Sequence, residues 1–542
     1  MNDAKRTLLF AALALALAGA TAARAQHDPG HEHAHDHGAG AGELGAVHFP
    51  TSCDPAAQPD FERGVALLHS FGYELSREAF AAAAARDPRC GLAWWGVAMT
   101  YYHPLWAPPS ADELAAGAEA ARKATAAGAS TDRERAYIDA IAAFYRDADS
   151  LDHASRSRAY REQMEEAARR FPDDAEARIF HALALLGTAP PTDTSLAQQR
   201  RAGEILNAEL ERQPRHPGIV HYIIHSFDYP GLADLALPAA RAYAEIAPAS
   251  PHAQHMPSHI FTRLGLWQES IRSNLDSEAS ANAIVAKKHP GAAAMDALHA
   301  LDYLEYAYLQ TGQLEKAREV LERAATATRF DDPNFAGGYA LAAIPARFAL
   351  ERGAWKEAAR LEPPGVSLPW DRFPYALAST HFARAIGAAR TGDAETARSA
   401  VEALAAIQRK LAAAPPGGPY DWAGQVESMR LAAAGWLAQA EGRPDRAIDL
   451  LREAAELQER VGKHPVTPGE LLPARELLAD LLAELDRPAE AVAEYEATLA
   501  TQPNRRRSLE GAAAAAERAG ESARARELRS RLASQLAESS ER

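Results

Sequence analysis

The chain has 542 residues, a formal charge of −15 and an aromatic content of only 7%. Alanine is abundant and β-branched runs are scarce, which predicts helix throughout. The acidic balance, without a basic stripe that could release counterions, argues against a nucleic-acid-binding protein. No stretch beyond the N-terminus reaches the roughly 18 apolar residues of a membrane-spanning helix.

The first 25 residues have the pattern of an export signal. Lys5 and Arg6 precede an apolar run over residues 8–17, and Ala23 and Ala25 are the small residues that a signal peptidase reads. The run is too short to cross a bilayer. We therefore expect a cleavable signal peptide over residues 1–25 and a mature protein that is periplasmic or secreted.

A histidine-rich tail follows over residues 26–45. Its composition of glycine, alanine, histidine and acidic residues cannot bury a core and predicts disorder. The five histidines directly after the predicted cleavage site are His27, His31, His33, His35 and His37. Either the tail gathers metal ions weakly, which we favour because flexible histidines can chelate without a fold, or it only keeps the leader soluble.

The chain has two cysteines, Cys53 and Cys90. In an oxidising compartment a disulfide between them is the favoured interpretation. The alternative is that they are two isolated thiolates that bind a metal.

A short turn followed by a small residue recurs along the chain. It is found at 265–270, 312–317, 353–358, 392–397, 442–447, 486–491 and 520–525, with a helical pattern on either side. In the stretch 478–503, the positions typical of a tetratricopeptide repeat are occupied by Leu478, Ala479, Leu482, Ala491, Tyr495 and Pro503. The stretch 304–324 has a similar pattern.

The chain thus resembles the tetratricopeptide repeat family, and also exported bacterial proteins of that kind. The resemblance implies an all-α fold, an α-solenoid of helix-turn-helix repeats. It covers residues 200 to 535 well and implies a concave groove that binds a protein or peptide. We divide the mature chain into degenerate repeats (46–200), repeats with a histidine cluster (201–330) and C-terminal repeats (331–542). The repeats from about residue 430 onward, whose one histidine is His464, have the pattern of ordinary binding or capping units.

Histidines are concentrated between residues 221 and 259. His221 and His225 are four residues apart, as are His255 and His259, and residues with this spacing share a helical face. His252 precedes the second pair. In the register of the resemblance, all five occupy positions that face the groove. Neighbouring helices lie about 8–10 Å apart, so both pairs could close on one transition metal or hold two.

The following repeat extends this row with His299, Asp302 and Tyr306. Imidazole-rich sites suit zinc, copper or iron. Asp302 or Asp228 could be a ligand, could orient an imidazole, or could act as a general base. The competing interpretation is a row of hydrogen-bonded groove histidines without a metal.

Two local features bear on this cluster. Pro257 either kinks a helix that begins at Pro251, or marks a later start that leaves His252 and His255 in a loop. The segment 67–73 also resembles 223–229, with His69 in the position of His225. We do not expect His69 and His103 to share the site.

Two functions therefore remain. The first, which we favour, is an exported scaffold that binds a protein or peptide in its groove and carries a histidine-rich transition-metal site. The alternative is a metal-dependent enzyme on the same solenoid, either a zinc hydrolase or a copper or iron oxidase.

Overall fold

The computed structural model describes residues 43–105, 108–191, 193–414 and 420–540. The predicted signal peptide and most of the predicted histidine-rich tail lie outside these residues. The described part is helical, with a single isolated bridge between Ala293 and Phe330. None of its helices is both long and apolar enough to span a membrane.

The α-helices are α1 (Gln58–His69), α2 (Tyr73–Arg86), α3 (Gly91–Met99), α4 (Ala111–Ala127), α5 (Asp132–Tyr145), α6 (His153–Arg170), α7 (Ala175–Gly187), α8 (Ala197–Leu210), α9 (Pro217–Phe227), α10 (Leu237–Ile246), α11 (Pro251–His255), α12 (Pro257–Arg263), α13 (Trp267–Lys288), α14 (Met295–Gln310), α15 (Leu314–Ala325), α16 (Phe335–Glu351), α17 (Trp355–Ala358), α18 (Pro374–Arg390), α19 (Ala394–Ala413), α20 (Trp422–Ala440), α21 (Pro444–Val461), α22 (Ala474–Glu484), α23 (Pro488–Thr501), α24 (Arg506–Arg518) and α25 (Ser522–Ser540). Short 3₁₀ helices lie at Pro55–Ala57, Ala233–Ala236 and Trp370–Arg372.

Successive helices pack as hairpins, and the first helix of each hairpin also packs on the first helix of the next. Thus α14 contacts α16, α16 contacts α18, and α18 contacts α20. This pattern, in which each repeat contacts its neighbours, is that of an α-solenoid.

The predicted turns lie where the sequence places them. Six of the turn glycines have a positive φ, between 63° and 82°, a conformation that glycine adopts without a steric penalty: Gly265, Gly312, Gly353, Gly392, Gly442 and Gly520. The small residue five positions after each turn start is fully buried, as at Ala317, Ala447 and Ala525. Small side chains at these positions allow the two helices of a hairpin to approach closely.

One hydrophobic core is continuous from Phe49 to Phe261 and so runs through the predicted boundary at residue 200. Cys53 and Cys90 form a disulfide whose Cα atoms are 5.1 Å apart. It joins the segment before α1 to the start of α3, which is the pairing that the sequence favours.

The helix beside the histidines is interrupted. The Ser250 side chain accepts a hydrogen bond from the Ala253 amide and caps α11, which begins at Pro251. A new helix, α12, begins at Pro257, because a proline inside a helix cannot donate the backbone hydrogen bond. Each alternative for Pro257 therefore holds in part: one helix begins at Pro251, so that His252 and His255 lie on a helix, and a second helix begins at Pro257.

Candidate metal centre

Three histidines from two helices form the first triad. His221 and His225 project from one face of α9, and His252 projects from α11. The Nε2 atom of His221 is 3.1 Å from Nε2 of His225 and 3.0 Å from Nε2 of His252. His221 is fully buried, whereas His225 and His252 are half-buried.

Three further histidines form the second triad. His255 and His259 lie on α11 and α12, and His299 lies on α14. The Nε2 atoms of His255 and His259 are 3.0 Å apart, and the rings of His255 and His299 have centroids 4.2 Å apart. All three side chains are buried. In each triad, one potential ligand atom per residue lies within 4.8 Å of the other two.

The two triads are neighbours. The ring centroids of His225 and His259 are 6.4 Å apart, and those of His252 and His255 are 6.5 Å apart. The structure therefore brings together all six histidines that the sequence proposed as ligands. The four-residue spacing places each pair on one face, and the stacking of α9, α11–α12 and α14 places the pairs side by side.

Hydrogen bonds donated by Nδ1 orient three of the imidazoles. Nδ1 of His221 donates to the backbone carbonyl of His69 (2.6 Å), and Nδ1 of His259 donates to Oδ2 of Asp228 (3.2 Å). Nδ1 of His255 donates to Oδ1 of Asn274 (2.7 Å). The Asn274 amide can only face this way, because its Nδ2 donates to the carbonyl of Ser270 (2.7 Å).

These bonds fix the tautomers of the buried rings. A neutral imidazole that donates from Nδ1 carries a lone pair on Nε2. The Nε2 lone pairs of His255 and His259 consequently face each other at 3.0 Å, with no proton left to share between them. Such an arrangement is repulsive unless a metal ion or an added proton lies between the two nitrogens. Carbonyl or carboxylate acceptors behind metal-binding histidines are common in metalloproteins.

Burial lowers the pKa of all six imidazoles below its ordinary value. For five of them the next largest cause is a neighbouring imidazole; for His259 it is Asp228, which opposes the shift. The pKa of His225 falls to about 3. The rings are therefore neutral at pH 7, which is the form that binds metals.

Asp228 links the second triad to two buried cations. Its Oδ1 accepts from Nε of Arg263 (2.8 Å), and its Oδ2 lies 3.3 Å from Nζ of Lys463. Burial opposes ionisation of Asp228, but Lys463 and Arg263 hold its pKa well below the usual range. Of the three roles considered for Asp228, the geometry matches that of an orienter of His259.

Asp302 does not join either triad. It lies against Arg347, with Oδ1 at 3.3 Å from the guanidinium, and Tyr306 accepts a hydrogen bond from Arg505. The aromatic ring beside the second triad is instead Tyr303, which stacks on His259 at 4.9 Å. The structure thus gives Asp302 the role of an ion-pair partner rather than a ligand.

A segment of the C-terminal half covers the second triad. We call residues 462–473, between α21 and α22, the crossing segment. The Tyr303 hydroxyl lies 2.6 Å from the carbonyl oxygen of Pro465, and Arg347 donates to the carbonyl of Glu470 (3.2 Å). His464 lies close enough to His299 to lower the pKa of that ring. The C-terminal repeats are therefore not only binding or capping units, because the crossing segment between two of their helices covers the second triad.

A third buried group was not predicted from the sequence. His69 and His216 donate to the two oxygens of Glu176 at 3.0 and 2.9 Å, and the Tyr222 hydroxyl lies 3.0 Å from His69 Nδ1. A Cβ atom at Gly218 would lie 2.5 Å from this Nδ1, so only glycine lets α9 pack here. This group forms its own hydrogen bonds and holds His69, whose carbonyl orients His221. The similarity of residues 67–73 to residues 223–229 was the sequence signal that could have pointed to His69. In the structure, His69 lies behind the first triad.

The fold and this centre define a class, that of helical-repeat proteins with a buried cluster of histidines. The tetratricopeptide repeat family model matches residues 306–330, and the described part of the chain is an α-solenoid of helical hairpins. The predictions of this family and of an all-α solenoid are thereby confirmed.

Solved structures that match this chain share little sequence with it. A monomeric mutant of IFIT1 with Gppp-AAAA is 12% identical, with coverage of 89% of this chain and 97% of that one and a TM-score of 0.40. The human IFIT1 dimer with m7Gppp-AAAA is 12% identical (82% and 89%, TM-score 0.37). The Cut9–Hcn1 hetero-tetramer of the APC/C is also 12% identical (88% and 79%, TM-score 0.36). These similarities carry no inference about function, and a search of curated proteins returns no match.

Proposed function

We propose that this tetratricopeptide-type scaffold holds two transition-metal ions side by side, one in each histidine triad, and that it acts as a metal-dependent redox protein. The observation that carries this proposal is the pair of Nε2 lone pairs that face each other at 3.0 Å in the second triad. Three imidazoles with a fourth position left open is a donor set typical of catalytic metal sites. A tetrahedral ion would require ligand nitrogens about 3.4 Å apart, close to the separations found here.

The charge of the surroundings favours copper over zinc. Six neutral imidazoles supply no negative ligand, and the nearest carboxylate, Asp228, is already paired with Arg263 and Lys463. Two divalent zinc ions would bring four positive charges into a buried site, whereas copper in its reduced state would bring half as many, as two cuprous ions. Imidazole is also a good ligand for copper. Copper ions bound here would supply one-electron redox chemistry.

The protein's own residues prepare the site for such ions. The carbonyl of His69, the amide of Asn274 and the carboxylate of Asp228 keep the Nε2 lone pairs directed inward. The second triad is buried, whereas His225 and His252 of the first triad are half-buried and could be reached by small molecules. A zinc hydrolase is the less suitable alternative, because Asp302 is not placed as a general base.

The crossing segment also restricts where a protein partner could bind. The crossing segment occupies the groove face over the second triad, so a peptide bound there would have to displace it. We propose that a protein partner binds to the C-terminal repeats, beyond α18, and that the export signal and tail deliver the protein and its metal to the periplasm.

Metal content tests this proposal. The full chain with its five tail histidines changed to alanine should bind two equivalents of copper, measured by mass spectrometry after gel filtration. His225→Ala and His259→Ala should each lose about one equivalent, because each removes one ligand of a different triad. The exposed His48→Ala is the matched control and should retain both. A folded parent that binds no copper, or a His48→Ala variant that loses as much as the others, would contradict the proposal.

A further inference from the structure

A cavity of about 590 Å³ opens beside the first triad. His252 of that triad forms part of its wall, as do residues from α2, α13, the start of α14 and the loop before α16. The volume is in the range of sites for small organic ligands. The mechanism proposed above assigns nothing to this cavity.

Five aromatic rings line the cavity. They belong to Phe71, Tyr73, Tyr101, Phe335 and Phe373. The Phe71 ring contacts the triad directly, with centroids 4.5 Å from His221 and 5.2 Å from His252. Phe71 has a φ of 54°, which is unusual for a bulky residue, so the backbone is held in a costly conformation that places this ring between the triad and the cavity.

The cavity wall is acidic. Five carboxylates line it against three cations: Glu74, Glu113, Asp296, Asp331 and Asp332 against Arg77, Lys288 and Arg372. Two of the cations and one of the five carboxylates, Glu74, are engaged by the chain itself. Lys288 pairs with Glu74 (3.2 Å) and Glu78 (2.8 Å), and Arg77 stacks on Tyr101 at 4.1 Å.

Three of the acidic side chains, Asp296, Asp331 and Asp332, lie near one another. Asp296 lies in the first turn of α14, three residues before His299 and hence on nearly the same helical face. Partial burial, and then Asp331 and Glu113, raise the pKa of Asp332 above its ordinary value, as expected where negative charges accumulate. His103, which also lines the cavity, adds no positive charge, because burial lowers its pKa.

We propose that this cavity binds a small aromatic molecule that carries a positive charge, and that this is the class of substrate presented to the first triad. The ring would lie against Phe71 and Phe335, and the cationic group would face Asp296 and Asp332. Aromatic walls attract both apolar rings and cations, and the excess of carboxylates disfavours anions. The role as substrate depends on the proposed metal function; the binding itself does not.

Calorimetric titration of the full-length protein with 2-phenylethylamine tests the binding. Two comparison probes separate the ring from the charge: 2-cyclohexylethylamine keeps the charge without the aromatic ring, and 3-phenylpropionate keeps the ring with the opposite charge. We expect phenylethylamine to bind at least about tenfold more tightly than either probe. Equal or tighter binding of phenylpropionate would overturn the proposal, and so would the absence of phenylethylamine binding.

Two variants locate the site. Asp332→Asn should weaken phenylethylamine binding about three- to tenfold and leave phenylpropionate unchanged or slightly stronger. The exposed Asp445→Asn, far along the repeats on α21, is the matched control and should bind as the parent does. Identical affinities for the two variants would overturn the assignment of this cavity.

Copper content, measured on the same samples, separates the two proposals: bound copper without amine binding refutes only the cavity site, and amine binding without copper refutes only the metal centre.

Discussion

The metal-free protein should lose stability steeply as the pH falls from 6.5 to 5. Four imidazoles of the centre are almost fully buried, with exposures of 0–3%: His221, His255, His259 and His299. Burial lowers the pKa of each in the folded state, whereas in the unfolded chain a histidine titrates near 6.5. Below pH 6.5 the unfolded state therefore binds more protons at these histidines than the folded state does.

The sign and size of this effect follow from proton linkage. Where the unfolded state binds more protons, the free energy of unfolding increases with pH. Stability is thus retained above pH 6.5 and lost below it. Each buried imidazole contributes at most about 1.4 kcal/mol per pH unit, so the four together contribute at most about 5 kcal/mol per unit.

Urea unfolding of the metal-free protein at pH 7.5, 6.0 and 5.0 measures this loss. The variant His255→Gln/His299→Gln removes two of the four buried imidazoles and should show about half the pH dependence. Comparison of the parent with this variant distinguishes the contribution of the histidines from that of buried carboxylates such as Glu176, because the carboxylates are the same in both proteins. An equally steep profile in parent and variant would show that the imidazoles are not the cause.

The second large effect is expected for Asp228→Asn. This substitution keeps the shape of the side chain but removes the charge that compensates Arg263 and Lys463, both of which are largely buried. Leaving buried charges without a partner costs about 3–5 kcal/mol. Burial already lowers the pKa of Lys463 to about 8. Without the Asp228 charge beside it, Lys463 should therefore favour its neutral amine form.

The same substitution should weaken metal binding. Asp228 holds the tautomer and orientation of His259, and the loss of such an outer partner typically reduces metal affinity about 10- to 100-fold. Competition with a chromophoric chelator measures the affinity, and urea unfolding measures the stability. Asp276→Asn, an exposed carboxylate on α13, is the control for both. If stability falls and copper affinity stays within about threefold of the parent, then Asp228 supports the fold and not the metal.

The repeats and the six histidines could be predicted because both depend on local spacing. A turn glycine followed by a small residue is visible within six residues, and a four-residue interval between histidines places them on one helical face. The stacking of repeats then adds His299 from the next first helix. Even the interruption at Pro257 follows from the chemistry of a single residue.

The rest of the centre depends on contacts between residues distant in the chain. Tyr303 and Pro465 are 162 residues apart, and Asp228 and Lys463 are 235 apart. No periodicity connects such pairs, so the crossing segment could not be predicted. Asp302 was misplaced for a related reason: its position on α14 suits a ligand, but Arg347 from α16 pairs with it.

The most direct test of the paired centre is a crystal structure of the copper-loaded protein, with anomalous data collected on both sides of the copper absorption edge. We predict two anomalous peaks, one within about 2.0–2.2 Å of the nitrogens of His221, His225 and His252, and the other within that distance of His255, His259 and His299. A single peak shared by both triads, or peaks only at other histidines, would contradict the account.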